Sequence, residues 1–506
     1  MSVELPASSP SPALLQTPPD DDLVIKHENE PYDLLGVGFG PTHIALAVAF
    51  AEERPGKRAL FIDARETFAW HPALLLPASR MQISFLKDLA TFRNPQSSFS
   101  FVSYLHSFGV DRLASFSNLG SWTPSRTEWA SYLAWAAKRL ESNVWWSSKV
   151  VSVQPTTDAG DSLVEITVRD FARQTTRVVY ARNLSLAPGA TPFIPKLFGD
   201  VLPAFPEIAH TSAYLSTLER LKLNAATFSG RVAVVGGGQS SAEVFHDLIS
   251  RFPNAKVDMF YRASALVPAD DSPFVNARAF DPARTEEFFG LQTQERSARL
   301  AEFRRANYAC VAPELIESMY KLLYLQRLHP GEPQHRIVPN TEVLSVERGE
   351  DGVGVRLTIG STLSTGGAPT TGEYAAVFLG TGYHRPSSSL SFLAGLASEY
   401  PALGAFLSGA APALEVGRDY ALEGSSERGG RVFVLGFSET THGLSETLLS
   451  VGAVRAGEVV AALQLPAAAA VAEVSTPVAS KTERGRSAHV HVGTLTPDSE
   501  RSPERD

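Results

Sequence analysis

Tyr32-Asp33-Leu34-Leu35-Gly36-Val37-Gly38-Phe39-Gly40-Pro41-Thr42-His43-Ile44 reads as a strand, a glycine turn and the start of a helix. Tyr32 to Leu35 form the strand, Gly36 to Pro41 the turn and Thr42 to Glu53 the helix, with a second strand at Ala59 to Asp63. A nucleotide pyrophosphate must approach the backbone closely and meet N–H groups at a helix start, and a side chain at Gly36, Gly38 or Gly40 would stand in its way. The same order recurs later in the chain. Arg231 to Val235 form a strand, Gly236-Gly237-Gly238-Gln239-Ser240-Ser241 the turn, Ala242 to Phe252 a helix and Val257 to Arg262 the next strand. Pro41 and Ser241 occupy the place of the third glycine, so neither motif is complete by itself; the repeated strand, turn and helix make the pair the stronger signal.

The two second strands end differently. Asp63 can accept hydrogen bonds from both ribose hydroxyls, which fits FAD or NAD, whereas Arg262 offers a cation that suits the 2′-phosphate of NADPH. The competing readings are a surface Asp and a solvated Arg. Two dinucleotides on one chain point to a flavoprotein in which NADPH reduces FAD. The lone cysteine, Cys310, excludes a redox pair and with it the disulfide reductases. What is left is a reductase, or a monooxygenase whose reduced flavin meets O2.

The rest of the 506 residues narrows the class further. With 45 Lys and Arg against 54 Asp and Glu, and no long basic run, the chain predicts neither a nucleic acid nor an anionic membrane as partner. Apolar stretches such as Ile44 to Ala51 are far short of a membrane span, and the scattered His residues and acidic pairs lack metal-ligand spacing. A cytoplasmic location is expected from the cysteine content and the absence of a leader pattern. Residues 1 to 30 and 466 to 506 are rich in Pro, Ser, Ala and charge and read as disordered arms; His489 and His491 in the second are too isolated for a metal site. Short β-rich runs alternating with helical patterns in between argue for an α/β fold with parallel sheets.

Between the glycine turns stand Phe68-Ala69-Trp70-His71-Pro72 and Met81-Gln82-Ile83-Ser84-Phe85-Leu86-Lys87-Asp88, and later Asp270-Asp271-Ser272-Pro273-Phe274-Val275-Asn276, Asn307-Tyr308, Leu379-Gly380-Thr381-Gly382-Tyr383 and Thr441-His442-Gly443-Leu444-Ser445. In these segments, in this order, the chain resembles the microbial N-hydroxylating flavin monooxygenases of hydroxamate siderophore synthesis. Asp88-Leu89-Ala90-Thr91-Phe92-Arg93-Asn94-Pro95 is more similar to the branch acting on L-ornithine than to the L-lysine branch.

The resemblance implies two Rossmann-like domains, the NADPH domain inserted into the FAD domain, with a small substrate region at their junction. Its boundaries would be 31–205 and 376–465 for FAD and 206–375 for NADPH. It further implies that Trp70, His71 and Gln82 lie near the flavin, with Gln82 close to the isoalloxazine. Lys87 and Asn276 would hold the amino-acid head of ornithine, with Ser445 as a further contact. Gln239, Ser240, Arg262 and Asn307 would bind NADPH, and Gly382 and Tyr383 would return the chain to the flavin domain. The activity implied is hydroxylation of the ornithine side-chain amine through a flavin C4a-hydroperoxide, by a homo-oligomer, a tetramer in the family pattern. The rivals are the same chemistry on L-lysine and an uncoupled NADPH oxidase. A lysine neutralising a carboxylate and an asparagine that donates and accepts suit a zwitterionic head; as plain alternatives, Lys87 is a surface charge and Asn276 and Ser445 are turn or cap residues. Ser445 could also open an apolar helix at Leu448 to Val460. One departure is Ala277-Arg278, where the family more often has an acidic and an aliphatic residue. His210 and Tyr214 match a broader flavin-monooxygenase fingerprint only weakly, because its glycine is missing.

Overall fold

The computed structural model describes residues 25–27, 30–156, 163–328, 331–350, 352–424 and 430–465. The expected disordered tail 466–506 and all but a few residues of the expected N-terminal arm lie outside that range. Within the arm, Ile25–His27 is a strand, paired in parallel with Thr175–Ala181, so the arm as drawn from composition runs too far.

Two five-stranded parallel sheets carry the architecture. The first has the order Arg431–Val434, Asn183–Leu186, Leu34–Val37, Ala59–Ile62, Val144–Trp145; the second has Ile208–His210, Ala376–Leu379, Arg231–Val235, Lys256–Phe260, His335–Val338. Both are covered on two faces, and period-2 alternation decides which residue serves which face. In the first sheet Leu34, Phe61 and Phe433 pack toward the helices Pro41–Glu53, Arg126–Arg139 and Gly452–Ala462. Leu35, Leu60, Leu184 and Val432 pack toward a four-stranded layer, in which the antiparallel strands Ser148–Pro155, Val164–Asp170 and Thr175–Ala181 are joined by Ile25–His27. The second sheet repeats the plan. Val232, Val234 and Met259 face the helix Gln239–Arg251, while Ala233, Phe260 and Val377 face a second antiparallel layer, residues 341–374.

Each sheet therefore grows from one glycine turn, and the chain passes between them twice. Thr191–Pro192 leads out and Tyr383–His384 leads back, paired antiparallel to each other. Because Ala376–Leu379 is hydrogen-bonded inside the second sheet, the change-over comes after Leu379, a few residues beyond the boundary at 375 drawn from sequence.

Local boundaries shift for physical reasons. The first strand is Leu34–Val37 rather than Tyr32 to Leu35, since Gly36 belongs to the strand: a Cβ there would lie 2.3 Å from Phe61 Cδ1 on the next strand. Helices begin at Pro41 and Gln239, so Gln239 and Ser240 sit in a first helical turn. The apolar helix expected from Leu448 starts only at Gly452, after short 3-10 turns, and Ser445 lies in Leu444–Thr447 rather than in that helix.

Candidate active site at the junction of the two sheets

Ligands of open α/β sheets bind at the carboxyl ends of the strands, where both glycine turns lie. Gly38 has φ +89° with its Cβ direction blocked 2.6 Å away by the Ala187 carbonyl, whereas a Cβ on Gly40 would meet nothing within 4 Å. No side chain caps the helix that follows. An open approach to uncapped N–H groups is what a pyrophosphate needs, so the residues present fit a dinucleotide. His43, missed by the sequence reading, holds the turn from below. Fully buried, it lies 2.5 Å from the Gly38 carbonyl through Nδ1 and 2.9 Å from Ser185 Oγ through Nε2. Burial pushes its pKa down to about 4, against a smaller opposite pull from the Gly38 bond, so the ring is neutral, with Nδ1–H donating to Gly38. The only hint in the sequence was a polar residue at the head of an apolar run.

Asp63 ends its strand as expected but is already engaged. Its Oδ2 accepts from Phe39 N and Arg65 Nη2, both at 2.7 Å, and its Oδ1 from Arg65 N and Nε at 2.9 Å. Burial raises the carboxyl pKa, but the Arg65 bonds and charge outweigh it and the net shift is downward. Gly236, φ +136°, repeats the tight turn in the second sheet: a Cβ would lie 2.3 Å from Gly380 O. Gln239 is pinned by its own bonds, Nε2 to Glu243 Oε1 and Oε1 from Ala312 N, each 2.8 Å. Ser240 lies beside it in the same turn. The Arg262 guanidinium is exposed and has no ion pair among the described residues.

Between the sheets the expected flavin-side residues converge. Trp70 and His71 contact edge to face at 5.2 Å, His71 faces Tyr383 at 6.3 Å, and Tyr383 faces His210 at 5.1 Å. His71 has φ 46°, a left-handed conformation uncommon for a side chain of its size. His210 Nε2 lies 3.0 Å from the Gly382 carbonyl, and burial pushes its pKa to about 4. The weakly weighted His210 thus buttresses the returning strand, whereas Tyr214 is turned away and donates to Asp247. Gln82 is exposed, its amide unpartnered among the described residues.

Lys87 and Asn276, 189 residues apart, meet: Nζ donates to Oδ1 at 3.1 Å. Burial lowers the Lys87 pKa, with Asp281 opposing. Asn276 Nδ2 donates to the Asp271 carbonyl at 2.6 Å, which fixes its oxygen toward the lysine. Ser445 is 5% exposed, without a side-chain partner among the described residues, and lines an adjoining cleft together with Arg278, Ala279, Asp281 and His442. Asn307 ends the helix Thr293–Asn307, and Tyr308 beyond it donates to Glu439 Oε2 in the segment leading to Ser445. Burial and Glu439 push the Tyr308 hydroxyl up to about 12, and burial raises the Glu439 carboxyl.

A family model described as L-lysine 6-monooxygenase/L-ornithine 5-monooxygenase matches residues 30–385. The chain belongs to this family. Among its members, an L-ornithine N(5)-oxygenase of Arthrobotrys oligospora is 39% identical, covering 88% of this chain and 91% of its own. Of solved members, ornithine hydroxylase (PvdA) from Pseudomonas aeruginosa is 37% identical with TM-score 0.75, covering 87% of this chain and 99% of the other. The Kutzneria sp. 744 ornithine N-hydroxylase, described as its FADred-NADP+-L-orn form, is 33% identical with TM-score 0.76, covering 86% and 99%. The two parallel sheets are thus the FAD/NADPH two-domain α/β fold of this monooxygenase family.

Proposed function

We propose that the chain hydroxylates the side-chain amine of L-ornithine to N5-hydroxy-L-ornithine, using FAD, NADPH and O2, and so supplies the hydroxylamine on which hydroxamate siderophores are built. The observation that carries this reading is the Lys87–Asn276 pair at 3.1 Å, at the junction of two nucleotide-binding sheets.

Bound FAD, reduced by NADPH, supplies the oxygen activation, one atom passing to nitrogen and the other leaving as water. The protein's own part is placement. The Gly36, Gly38 and Gly40 turn receives FAD on the lobe formed by residues 31–205 and 380–465, with Asp63 reaching the ribose once Arg65 yields part of its hold on the carboxylate. The Gly236 turn, with Gln239, Ser240, Arg262 and Asn307, receives NADPH on the lobe formed by residues 206–379. Trp70, His71, Gly382 and Tyr383 wall the flavin side, and Gln82 offers its unpartnered amide there. Lys87 faces the α-carboxylate of ornithine, Asn276 holds the rest of its head, and Ser445 adds a further contact. The half-buried Lys87 pairs with a carboxylate more strongly than it would in bulk water.

The target amine reacts only when neutral. With an amine pKa of about 10.4, deprotonation near neutral pH costs about 5 kcal/mol, and a desolvating pocket lowers that cost. Activity should therefore climb from about pH 6 to 9 as the neutral fraction grows.

Among the described residues no helix is long and apolar enough to cross a membrane, and we place the enzyme in the cytoplasm as a homo-oligomer, a tetramer by family pattern. The deciding experiment measures hydroxylamine product per NADPH consumed with L-ornithine and with L-lysine. Near-stoichiometric product with ornithine alone is expected; product from lysine, or H2O2 alone, would overturn the assignment.

A further inference from the structure

We infer that Arg126 and Glu243 latch the two lobes together and thereby set how the second nucleotide turn faces the segment carrying Gln82. The inference deepens the functional reading above and rests on it, since Gln239 and Gln82 are taken as cofactor-facing.

Arg126 opens the helix Arg126–Arg139 and is tied to the backbone around Gln82. Its N–H donates to Ser79 O at 3.1 Å, Met81 N donates to Pro124 O at 2.9 Å, and Arg80 and Ser125 form a β-bridge. Glu243 lies one turn along the second nucleotide helix from Gln239. Both charges are withdrawn from water, the side chains being 18% and 6% exposed. A carboxylate this buried is costly unless every oxygen is used, and Glu243 divides its two between the lobes. Oε2 accepts from Arg126 Nη1 at 2.7 Å, and Oε1 accepts from Gln239 Nε2 at 2.8 Å. Gln239 passes the order on, because its Oε1 accepts from Ala312 N.

Donation converges on the carboxylate from both sides: the Arg126 guanidinium donates to it directly, and the Ala312 N–H donates to the Gln239 amide, which donates to it in turn. A flipped Gln239 amide would set its NH2 against the Ala312 N–H and its oxygen against the Glu243 carboxylate, so the side chain is held in one orientation. A neutral amide at position 243 cannot serve both neighbours, since one of its two ends is a donor facing a donor. Arg126 and Glu243 are positioning residues, acting on Gln239 and on the segment around Gln82.

The test uses FAD-loaded full-length enzyme with Glu243→Gln, Arg126→Met and the double variant, and Arg126→Lys as a milder change should the others fold poorly. Three quantities are read: amide hydrogen exchange at residues 79–82 and 239–243, the dissociation constant for NADP+, and the rate at which NADPH bleaches the flavin. Each single variant should raise exchange in both segments and weaken NADP+ binding or slow bleaching by roughly ten- to a hundredfold, the scale of a small misplacement. The double variant should be no worse than the worse single one, because all three remove one link. A pair serving only packing would lower the melting temperature and leave exchange at 79–82 and NADP+ affinity at wild-type values, which overturns the latch. Effects that multiply in the double variant overturn it as well. Wild-type enzyme that NADPH does not bleach would overturn the cofactor reading, and the latch with it.

Discussion

Gly38 concentrates two demands in one residue, a positive φ of 89° and a Cβ direction closed by Ala187 O at 2.6 Å. Gly38→Ala should cost about 1–3 kcal/mol from backbone strain and lower the FAD content of purified protein; a variant with unchanged melting temperature and full flavin would contradict this. Lys87→Ala should keep FAD and NADPH oxidation but lose hydroxylated product, with the ornithine requirement rising roughly tenfold or more for a lost charge-assisted contact; wild-type ornithine affinity in it would refute the head-group role. Arg262→Ala should raise the NADPH requirement far more than the NADH one, because only the former has a 2′-phosphate, and an equal effect on both would remove that role. The motifs bring Lys87 and Asn276 into one candidate site, and these two side chains do meet across 189 residues. His43, Glu243 and Glu439 were not legible, since their meaning comes from partners that no local pattern announces. Asp63 was read as open to a ribose, yet nothing in the sequence foretold that Arg65 would fold back upon it.

Elements were legible through alternation and glycine punctuation, and the errors lay where tertiary packing overrode both. Reading Gly36 as turn rather than strand moved the first strand by two residues; only the Phe61 ring pressed against it explains why a glycine sits inside the sheet. The segment after Val434 escaped prediction because its order is imposed from outside. Glu446, buried, accepts from Gly436 N at 2.6 Å and Ser438 N at 3.1 Å, and pairs at 3.0 Å with Arg455, which in turn donates to Thr42 Oγ1 at 3.1 Å in the first turn of the FAD-side helix. This knot binds the Ser445 loop to that helix. Arg455→Met leaves Glu446 charged and unpaired, so stability should fall by about 3–5 kcal/mol, read as a lower denaturation midpoint. A midpoint equal to wild type would show that the pair is dispensable.

At the scale of the molecule, burial keeps three histidines neutral: His43, His210 and His335 all have pKa values pushed to about 4. The unfolded chain takes up protons below its ordinary value near 6.5, while the native chain does not until about 4. Stability should therefore fall progressively between those two values as the solution is acidified, by up to about 3 kcal/mol for the fully buried His43 alone. Melting temperatures from pH 7 to 4 check this, and a His43→Gln variant should show a shallower decline. The doubled plan of the molecule was legible, because strand, glycine turn and helix occur twice in the sequence; the insertion point was blurred because Ala376–Leu379 completes one lobe just before the chain leaves it for the other. The amino-acid head would thus be gripped by one residue from each lobe, Lys87 from the first and Asn276 from the second. The length of amine that reaches the reacting atom then depends on the spacing between two bodies, not only on the lining of a pocket. Over evolutionary time, preference between two diamines differing by one methylene could drift through substitutions far from the substrate, wherever they slide one sheet against the other.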